Sequence, residues 1–244
     1  MSELSPKEEA IKNLIIGGCH LGGKKLTKQM KTYVYKERDD GVYLFDVNKI
    51  YEKIQVAARI ITSIVDPETI VAVSGRQAGQ RAVYKFSQFT KSVGITGRWS
   101  PGMLTNQITK KFIEPRLLIV CDPRVDYNAL LESSYVNIPV IALCNTENNL
   151  TYVDCAIPCN NRAKRSLAMI WYLLTKEVLA LKNEKNEDFE NSLPGSFMWR
   201  DIDKNEEVKG GEEAEGKEDE DGEKEDEGEG EGEEGEPEDE DFLN

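Results

Sequence analysis

Two polar segments directly follow apolar, β-branched runs, which is where open α/β folds hold their ligands. They are SGR at 74–76 and DPRVD at 122–126. A carboxylate pair beside arginines suits a phosphate or a metal ion, so a nucleotide- or sugar-phosphate-handling enzyme is one hypothesis. However, the GxxxxGK[ST] and GxGxxG spacings of phosphate-binding loops are absent, and Asp122 and Asp126 could equally cap the helix that follows.

Nucleophilic catalysis has one candidate centre, because the chain contains a single histidine, His20. Ser-His and Cys-His arrangements could form only there, and its glycine-rich surroundings favour a structural role. The five cysteines have no paired zinc-ligand spacing, so we expect buried free thiols. Cys155 and Cys159 could be half of a metal site, but a second pair of ligands is missing. We therefore predict no enzymatic activity, no catalytic residue, no cofactor and no metal.

Cationic segments point instead to an anionic polymer. The glycine-rich loop at 17–25 ends in two lysines, and the polar loop at 100–111 adds two more, next to one tryptophan. A protein that binds single-stranded RNA needs cations for the phosphates and an aromatic ring on which a base can stack, and this loop offers both. On composition alone, however, the loop is more typical of solvated surface. Three cations also fall at a predicted helix start, where they oppose the helix dipole. The predicted RNA-binding residues are Lys24, Lys25, Arg98, Trp99, Lys110, Lys111, Arg116, Arg162, Lys164 and Arg165.

The stretch 114–145 organises the predicted fold. Its two apolar runs, at 117–120 and 138–143, are separated by a segment of helical character, which predicts one β-α-β unit with a right-handed connection. Runs that are apolar on both faces indicate a parallel sheet covered by helices on both sides. With a further strand at 70–73, this pattern predicts a three-layer α/β fold with a mostly parallel, Rossmann- or flavodoxin-like sheet.

Local signals predict the other elements. A capping box at 5–8 begins a helix that runs to Ile16, and Asp46 can cap a second one. Asp-Gly at 40–41 between two β-type runs predicts a hairpin. The helix predicted for 162–181 can be capped by one of the two asparagines at 160 and 161.

Charge divides the chain into a body and a tail. The chain has 31 basic and 45 acidic residues, of which 4 and 24 lie in residues 201–244, so the body is net +6 and the tail net -20. We predict an α/β domain at 1–182, an extended arm at 183–209 and a disordered, Glu/Gly-rich tail at 210–244. No signal sequence or membrane span is expected, so the protein should be soluble and intracellular.

Many short strings, in the right order over about residues 10–200, resemble one family. This is the eukaryotic small-subunit (40S) ribosomal protein SA family, also called the laminin-receptor precursor family, a relative of the bacterial second small-subunit protein. The strings are GCHLGGKKL (17–25), YVYKERDDGVYLFD (33–46), GQRAVYKF (79–86), GRWSPGMLTNQI (97–108), EPRLLIVCDPR (114–124), SYVNIPVIALCNT (134–146) and YVDCAIPCNN (152–161).

The resemblance implies a non-enzymatic, structural constituent of the small subunit at its head and body junction. The implied partners are rRNA and neighbouring ribosomal proteins, with no membrane and no small-molecule substrate. A role in subunit assembly and translation is implied, with a cytoplasmic location and nuclear or nucleolar passage during assembly. The chain departs from bacterial relatives in lacking a heptad stretch for a coiled-coil hairpin. Its Glu/Gly tail replaces the acidic-Trp-Ser units of animal members, so laminin binding is not carried over.

A third hypothesis, besides the enzyme and the ribosomal protein, is an interaction module that acts off the ribosome. In that case the acidic tail would contact a basic partner. Loss of small-subunit association on deleting 210–244 would favour it over a purely structural role for the body.

Overall fold

The computed structural model describes residues 5–183 and 186–200, and within these ranges it has seven strands and six α-helices. The strands are β1 (Val34–Glu37), β2 (Tyr43–Phe45), β3 (Ile70–Ser74), β4 (Val93–Thr96), β5 (Leu117–Val120), β6 (Val140–Cys144) and β7 (Cys155–Pro158). The helices are α1 (Pro6–Ile16), α2 (Val47–Thr62), α3 (Gln77–Thr90), α4 (Tyr127–Val136), α5 (Lys164–Lys182) and α6 (Glu187–Glu190). The predicted tail at 210–244 lies outside the described residues.

A five-stranded parallel sheet forms the middle of the domain, in the order β4-β3-β5-β6-β7. Every residue of β3, β5, β6 and β7 is buried, which explains why their sequences are apolar on both faces instead of alternating. Counted from the first strand of this sheet, the order is 2-1-3-4-5, the flavodoxin-like arrangement of a doubly wound fold. The predicted fold class is confirmed.

Helices cover both faces of the sheet. On one face α5 packs against both α2 and α3, and α1 lies against α2 and α5. The connection from β5 to β6 runs in the opposite direction along the sheet from that between β3 and β4. Right-handed crossovers therefore place α4 on the other face. Among the described residues no helix is long and apolar enough to cross a membrane.

Helix starts agree with the sequence prediction at α1 and α2 but not at α5. The capping box is present, with the Ser5 amide donating to Glu8 Oε2 at 2.9 Å, and Asp46 accepts from the Asn48 amide at 3.1 Å. The N-cap of α5 is Ala163, without a side-chain cap, so the predicted asparagine cap is wrong. Those asparagines serve the chain before the helix, because the Asn161 amide group donates to the Leu143 carbonyl at 3.3 Å.

The glycine-rich segment is held between the hairpin and the main sheet. The Gly22 amide donates to the Tyr43 carbonyl at 2.8 Å, and the Gly23 amide donates to Thr146 Oγ1 at 2.9 Å. A Cβ at position 22 would lie 2.5 Å from Thr146 Cγ2 and 2.8 Å from the Tyr43 oxygen, so only glycine fits. This contact fixes Lys24 beside the end of β6.

The segment 186–200 lies against the domain through aromatic side chains. Phe197 is fully buried, with its ring 5.9 Å from that of Phe89 and 5.8 Å from that of Tyr172. The Arg81 Nε donates to the Ser196 carbonyl at 2.8 Å. The chain divides into two units, residues 1–199 and 200–244, and residue 200 is the part of the second unit that the structure describes. The domain boundaries predicted at 182 and 209 stay predictions.

Replacing Phe197 with Ala should lower the free energy of unfolding by about 3–5 kcal/mol, because a fully buried ring leaves a cavity that closes only in part. Chemical denaturation of the full chain measures the loss. Leu193→Ala, on the same segment with a side chain 75% exposed, is the control and should change stability little. Equal effects of the two variants would mean that Phe197 does not anchor the segment.

Candidate nucleic-acid interface

The crevice between the carboxyl ends of β3 and β5 is occupied by the protein's own side chains. This is the topological switch point, where doubly wound sheets hold small ligands. Arg76 Nη2 donates to Asp122 Oδ2 at 2.5 Å, and Asn148 Nδ2 donates to Asp122 Oδ1 at 3.1 Å. The Gly75 amide donates to Asp126 Oδ1 at 3.0 Å. The strand-end carboxylates therefore tie β3, β5 and β6 together.

Asp126 stands at the N-cap position of α4, yet its carboxylate does not cap that helix. It reaches across to β3 instead, which Gly75 permits, since a Cβ there would lie 2.5 Å from Asp126 Oδ1. The expectation that Asp126 caps the following helix is therefore wrong. Burial raises the pKa of Asp126 to about 6, against the opposing hydrogen bond from Gly75, and the neighbouring Asp122 carboxylate adds to the rise.

The candidate nucleophilic residues also have no catalytic partner among the described residues. His20 Nδ1 is buried without a hydrogen-bond partner among the described residues, so no serine or cysteine is paired with it there. All five cysteines are free and buried, as predicted, and burial raises the pKa of the Cys121 thiol to about 12. A thiol with such a pKa stays protonated near neutral pH and is a poor nucleophile. The described residues contain no group of three or more His, Cys, Asp or Glu placed to hold a metal ion.

A row of arginines follows the carboxyl ends of the parallel strands. Arg98 follows β4, Arg76 follows β3, Arg124 follows β5 and Arg162 follows β7, while Glu147 follows β6. Arg76 turns inward, but the side chains of Arg124 and Arg162 are 72% and 53% exposed. Both bind Glu147, Arg162 through a close Nη2 contact and Arg124 at 3.6 Å.

Further cations extend this row into one surface, which we call the cationic rim. Lys24 and Lys25 are exposed next to the Thr146 loop, and Lys164 and Arg165 are exposed in the first turn of α5. Six of the ten predicted RNA-binding residues thus share the carboxyl edge of the sheet. The members of the rim are Lys24, Lys25, Arg98, Arg124, Arg162, Lys164 and Arg165.

Three other predicted residues lie elsewhere. Arg116 immediately precedes β5, and its amide donates to the Thr69 carbonyl at 2.8 Å just before β3, so it marks the amino edge of the sheet. Lys110 and Lys111 are exposed in the loop that leads to this edge. The sequence could not separate these residues from the rim, because the loop starts at one edge and ends at the other.

Trp99 is a core residue rather than a surface one. Only 3% of it is exposed, and Met103 and Leu104 of the same loop are also buried. The buried carboxylate of Glu132 in α4 accepts from the Gly102 amide at 2.8 Å and holds the loop down. The Trp99 ring is therefore not available to stack on a base, and its predicted stacking role is not supported.

Arg124 is the rim residue that the predicted set omits. The sequence contained a signal for it, because Arg124 comes four residues after a predicted strand, much as the arginine of the SGR segment comes three residues after one. In the sequence, an arginine at this position suggests a crevice for a small ligand. In the structure, Arg76 closes the crevice and Arg124 faces outward.

Comparing the Asp126→Asn variant with the wild type should isolate the part of the pH dependence of stability that comes from the buried Asp126 carboxyl. Asp126 has a folded pKa of about 6 against an ordinary value of 3.8, so its stabilising contribution is complete below pH 4 and is lost as pH rises through 6. Between pH 4 and pH 7 the wild type should therefore lose about 2 kcal/mol relative to the variant. Denaturation curves at four pH values measure this. Asp39→Asn in the hairpin loop controls for loss of one charge, and the same slope in both variants would contradict the assignment.

Comparison with known proteins gives the family. A family model described as ribosomal protein S2 matches residues 14–114 and 107–180. "Small ribosomal subunit protein uS2" of Ornithodoros parkeri is 46% identical over 202 residues, covering 82% of this chain and 68% of the relative. Its counterparts from Chlamydomonas reinhardtii and Yarrowia lipolytica are 45% and 44% identical, each covering 84% of this chain and 74% and 76% of the relative. The chain belongs to the ribosomal protein S2 family.

Proposed function

We propose that the protein is a structural component of the small ribosomal subunit, and that it binds rRNA through the cationic rim. The observation that carries this proposal is the row of exposed cations along the carboxyl edge of the sheet, on a body of net charge +6. Family membership supports the ribosomal role. Lysine and arginine side chains that meet phosphates release counterions, which is the main source of affinity for nucleic acids.

The rim is rigid, and rigidity favours binding. Arg124 and Arg162 follow the buried strands β5 and β7, and the ends of β3, β5 and β6 are joined by Arg76, Asp122 and Asn148. Side chains on a fixed frame lose less conformational freedom on binding than side chains on mobile loops. The rim thus offers phosphate contacts at set positions.

The first turn of α5 adds a second physical reason for an anion at the rim. Lys164 and Arg165 stand where the helix dipole is positive, and the turn contains no acidic residue. This placement costs stability in the isolated protein. An RNA phosphate next to the turn offsets that cost.

Two further contacts complete the proposal. Lys110, Lys111 and Arg116 bind a second RNA segment at the amino edge, separate from the rim. The C-terminal end of α4 contacts a neighbouring ribosomal protein, because Tyr135 and Val136 are 66% and 43% exposed there. Exposed aromatic side chains away from charges are typical of protein interfaces.

The proposed role is structural and not enzymatic, since the strand-end carboxylates serve as ties between strands. We place the protein at the head and body junction of the cytoplasmic small subunit, with passage through the nucleus or nucleolus during assembly. Support for this placement comes from the motifs shared with the family, from GCHLGGKKL at 17–25 to YVDCAIPCNN at 152–161.

Triple alanine variants test which edge binds RNA. Replacing Lys24, Lys25 and Arg165 should weaken cosedimentation with small subunits. The slope of log affinity against log salt should fall by about 2–3, because each neutralised phosphate contributes close to one. Replacing Lys110, Lys111 and Arg116 removes the same charge, but these three cations have no rim beside them, so binding should fall less.

Equal effects of the two triple variants would mean that net charge, and not the rim, drives binding. Absence of the wild-type protein from the 40S peak at moderate salt would contradict the ribosomal proposal as a whole. Thermal melts of both variants show whether the fold is retained.

Deletion of residues 210–244 should leave small-subunit association intact. Residues 210–244 contain 20 acidic and 2 basic residues, a net charge of -18, and such a segment repels RNA phosphates instead of binding them. Cosedimentation of the shortened chain at several salt concentrations is the measurement. Loss of association would favour the hypothesis of an interaction module that works through its acidic tail.

A further inference from the structure

A pocket of about 450 Å³ lies beside the rim at the start of α4. Its lining includes Arg124, Glu147 and Tyr127. Pockets of this size hold small organic ligands. We propose that it holds one unpaired nucleotide of RNA, with the base stacked on Tyr127 and its phosphate on Arg124. This inference rests on the proposed function and names the RNA feature that the rim selects.

Tyr127 provides the aromatic surface that Trp99 does not. It is the first residue of α4 and is 50% exposed, so part of its ring is open to a ligand. Leu130 lines the same pocket one turn further along the helix and is itself buried, which gives the pocket an apolar base. An unstacked base leaves solvent readily for such a site, because every base has an apolar face that stacks on an aromatic ring.

Fixed polar groups also line the pocket. Asn149 Oδ1 accepts from the Thr151 amide at 3.2 Å and from Thr151 Oγ1 at 2.9 Å. These two bonds hold the side-chain amide of Asn149 in one orientation, in which the oxygen faces Thr151 and the Nδ2 group is on the opposite branch of the amide. Asn148 is buried and fixed by its bond to Asp122. Amide groups held in one orientation can bind the hydrogen-bonding edge of a base, which is how proteins recognise unpaired nucleotides.

The proposed phosphate position follows from the ion pairs of Glu147, which lines the pocket. Glu147 binds both Arg124 and Arg162, and its carboxylate is 16% exposed while the two arginine side chains extend into solvent. A guanidinium has five N–H donors, so each arginine keeps donors for a phosphate after binding Glu147. Glu147 therefore acts as a positioning residue that holds the two arginines side by side.

The charges of Glu147 and the two arginines also favour a nucleotide within an RNA strand over a free mononucleotide. A carboxylate inside the pocket disfavours a phosphate there but accepts hydrogen bonds from the amino group of a neutral base. The base thus enters the pocket and the phosphate stays outside, at the exposed arginines. A nucleotide within an RNA strand satisfies both positions while its neighbours bind the rest of the rim, whereas a free mononucleotide brings a single phosphate.

Tyrosine variants test the pocket in the full chain. With deproteinised small-subunit rRNA as the probe, Tyr127→Ala should weaken binding about five- to a hundredfold, the range for removing one aromatic stacking partner of a base. Tyr127→Phe keeps the ring and should stay within about twofold of the wild type. Tyr84→Ala is the matched control, a tyrosine of α3 that is 59% exposed, and should also stay within about twofold.

A second measurement uses the assembled particle. Ultraviolet irradiation of small subunits that contain the protein, followed by mass spectrometry, should give a nucleotide adduct on the peptide that carries Tyr127. An adduct on the Tyr84 peptide without one at Tyr127 would overturn the inference. So would an adduct of the Tyr127 region with another protein, because the pocket would then hold a side chain of that neighbour.

The outcomes separate the pocket from the wider proposal. If the wild type binds rRNA and Tyr127→Ala equals Tyr84→Ala, the pocket assignment is wrong while the rim stands. If the wild type does not bind rRNA, the rim and the pocket fail together. A rise in melting temperature of the free protein with AMP, GMP, CMP or UMP that Tyr127→Ala abolishes would identify a small-molecule site and overturn the choice of RNA.

Discussion

Asp122 joins the carboxyl ends of three neighbouring strands, and the rest of the edge depends on it. Its carboxylate accepts from Arg76 after β3, from the Arg124 amide on its own loop, and from Asn148 after β6. Burying a carboxylate without hydrogen-bonding partners costs free energy, so the loss of any one of these contacts would destabilise the folded edge. Because the ends of β3, β5 and β6 are joined in this way, Arg124 and Glu147 project from a shared base, and Glu147 binds Arg162 as well.

The position that binds small ligands in other doubly wound folds is here used for internal support. At the switch point the Gly75 amide, Arg76 and the two aspartates bind one another, and Gly75 is required because a side chain there would collide with Asp126. Closing this crevice moves the accessible chemistry outward by a few residues, to Arg98, Arg124 and Arg162. The same sequence positions that invite an enzymatic interpretation thus produce a polyelectrolyte surface.

Local pattern was enough for the fold and insufficient for the partners of individual side chains. The β-branched runs at 70–73 and 117–120 predict buried parallel strands because their composition reflects both faces of the sheet. The caps of α4 and α5 were missed because a residue 51 positions away competes for Asp126, and Leu143 competes for Asn161. The burial of Trp99 was missed for a similar reason, since its loop is held by Glu132 in a helix that comes 30 residues later.

The two groups of cations cannot serve one strand of RNA in the same way. The four- and five-residue strands of the sheet span about 13–17 Å at about 3.3 Å per residue, so the rim and the amino edge around Arg116 are at least that far apart. This is longer than the Debye length of about 8 Å at physiological salt, so the two edges attract phosphates almost independently. A domain with a rigid sheet between two such edges is suited to hold two RNA segments at a set distance. A rigid spacer needs a core that resists deformation, and the fully buried strands of this sheet provide it.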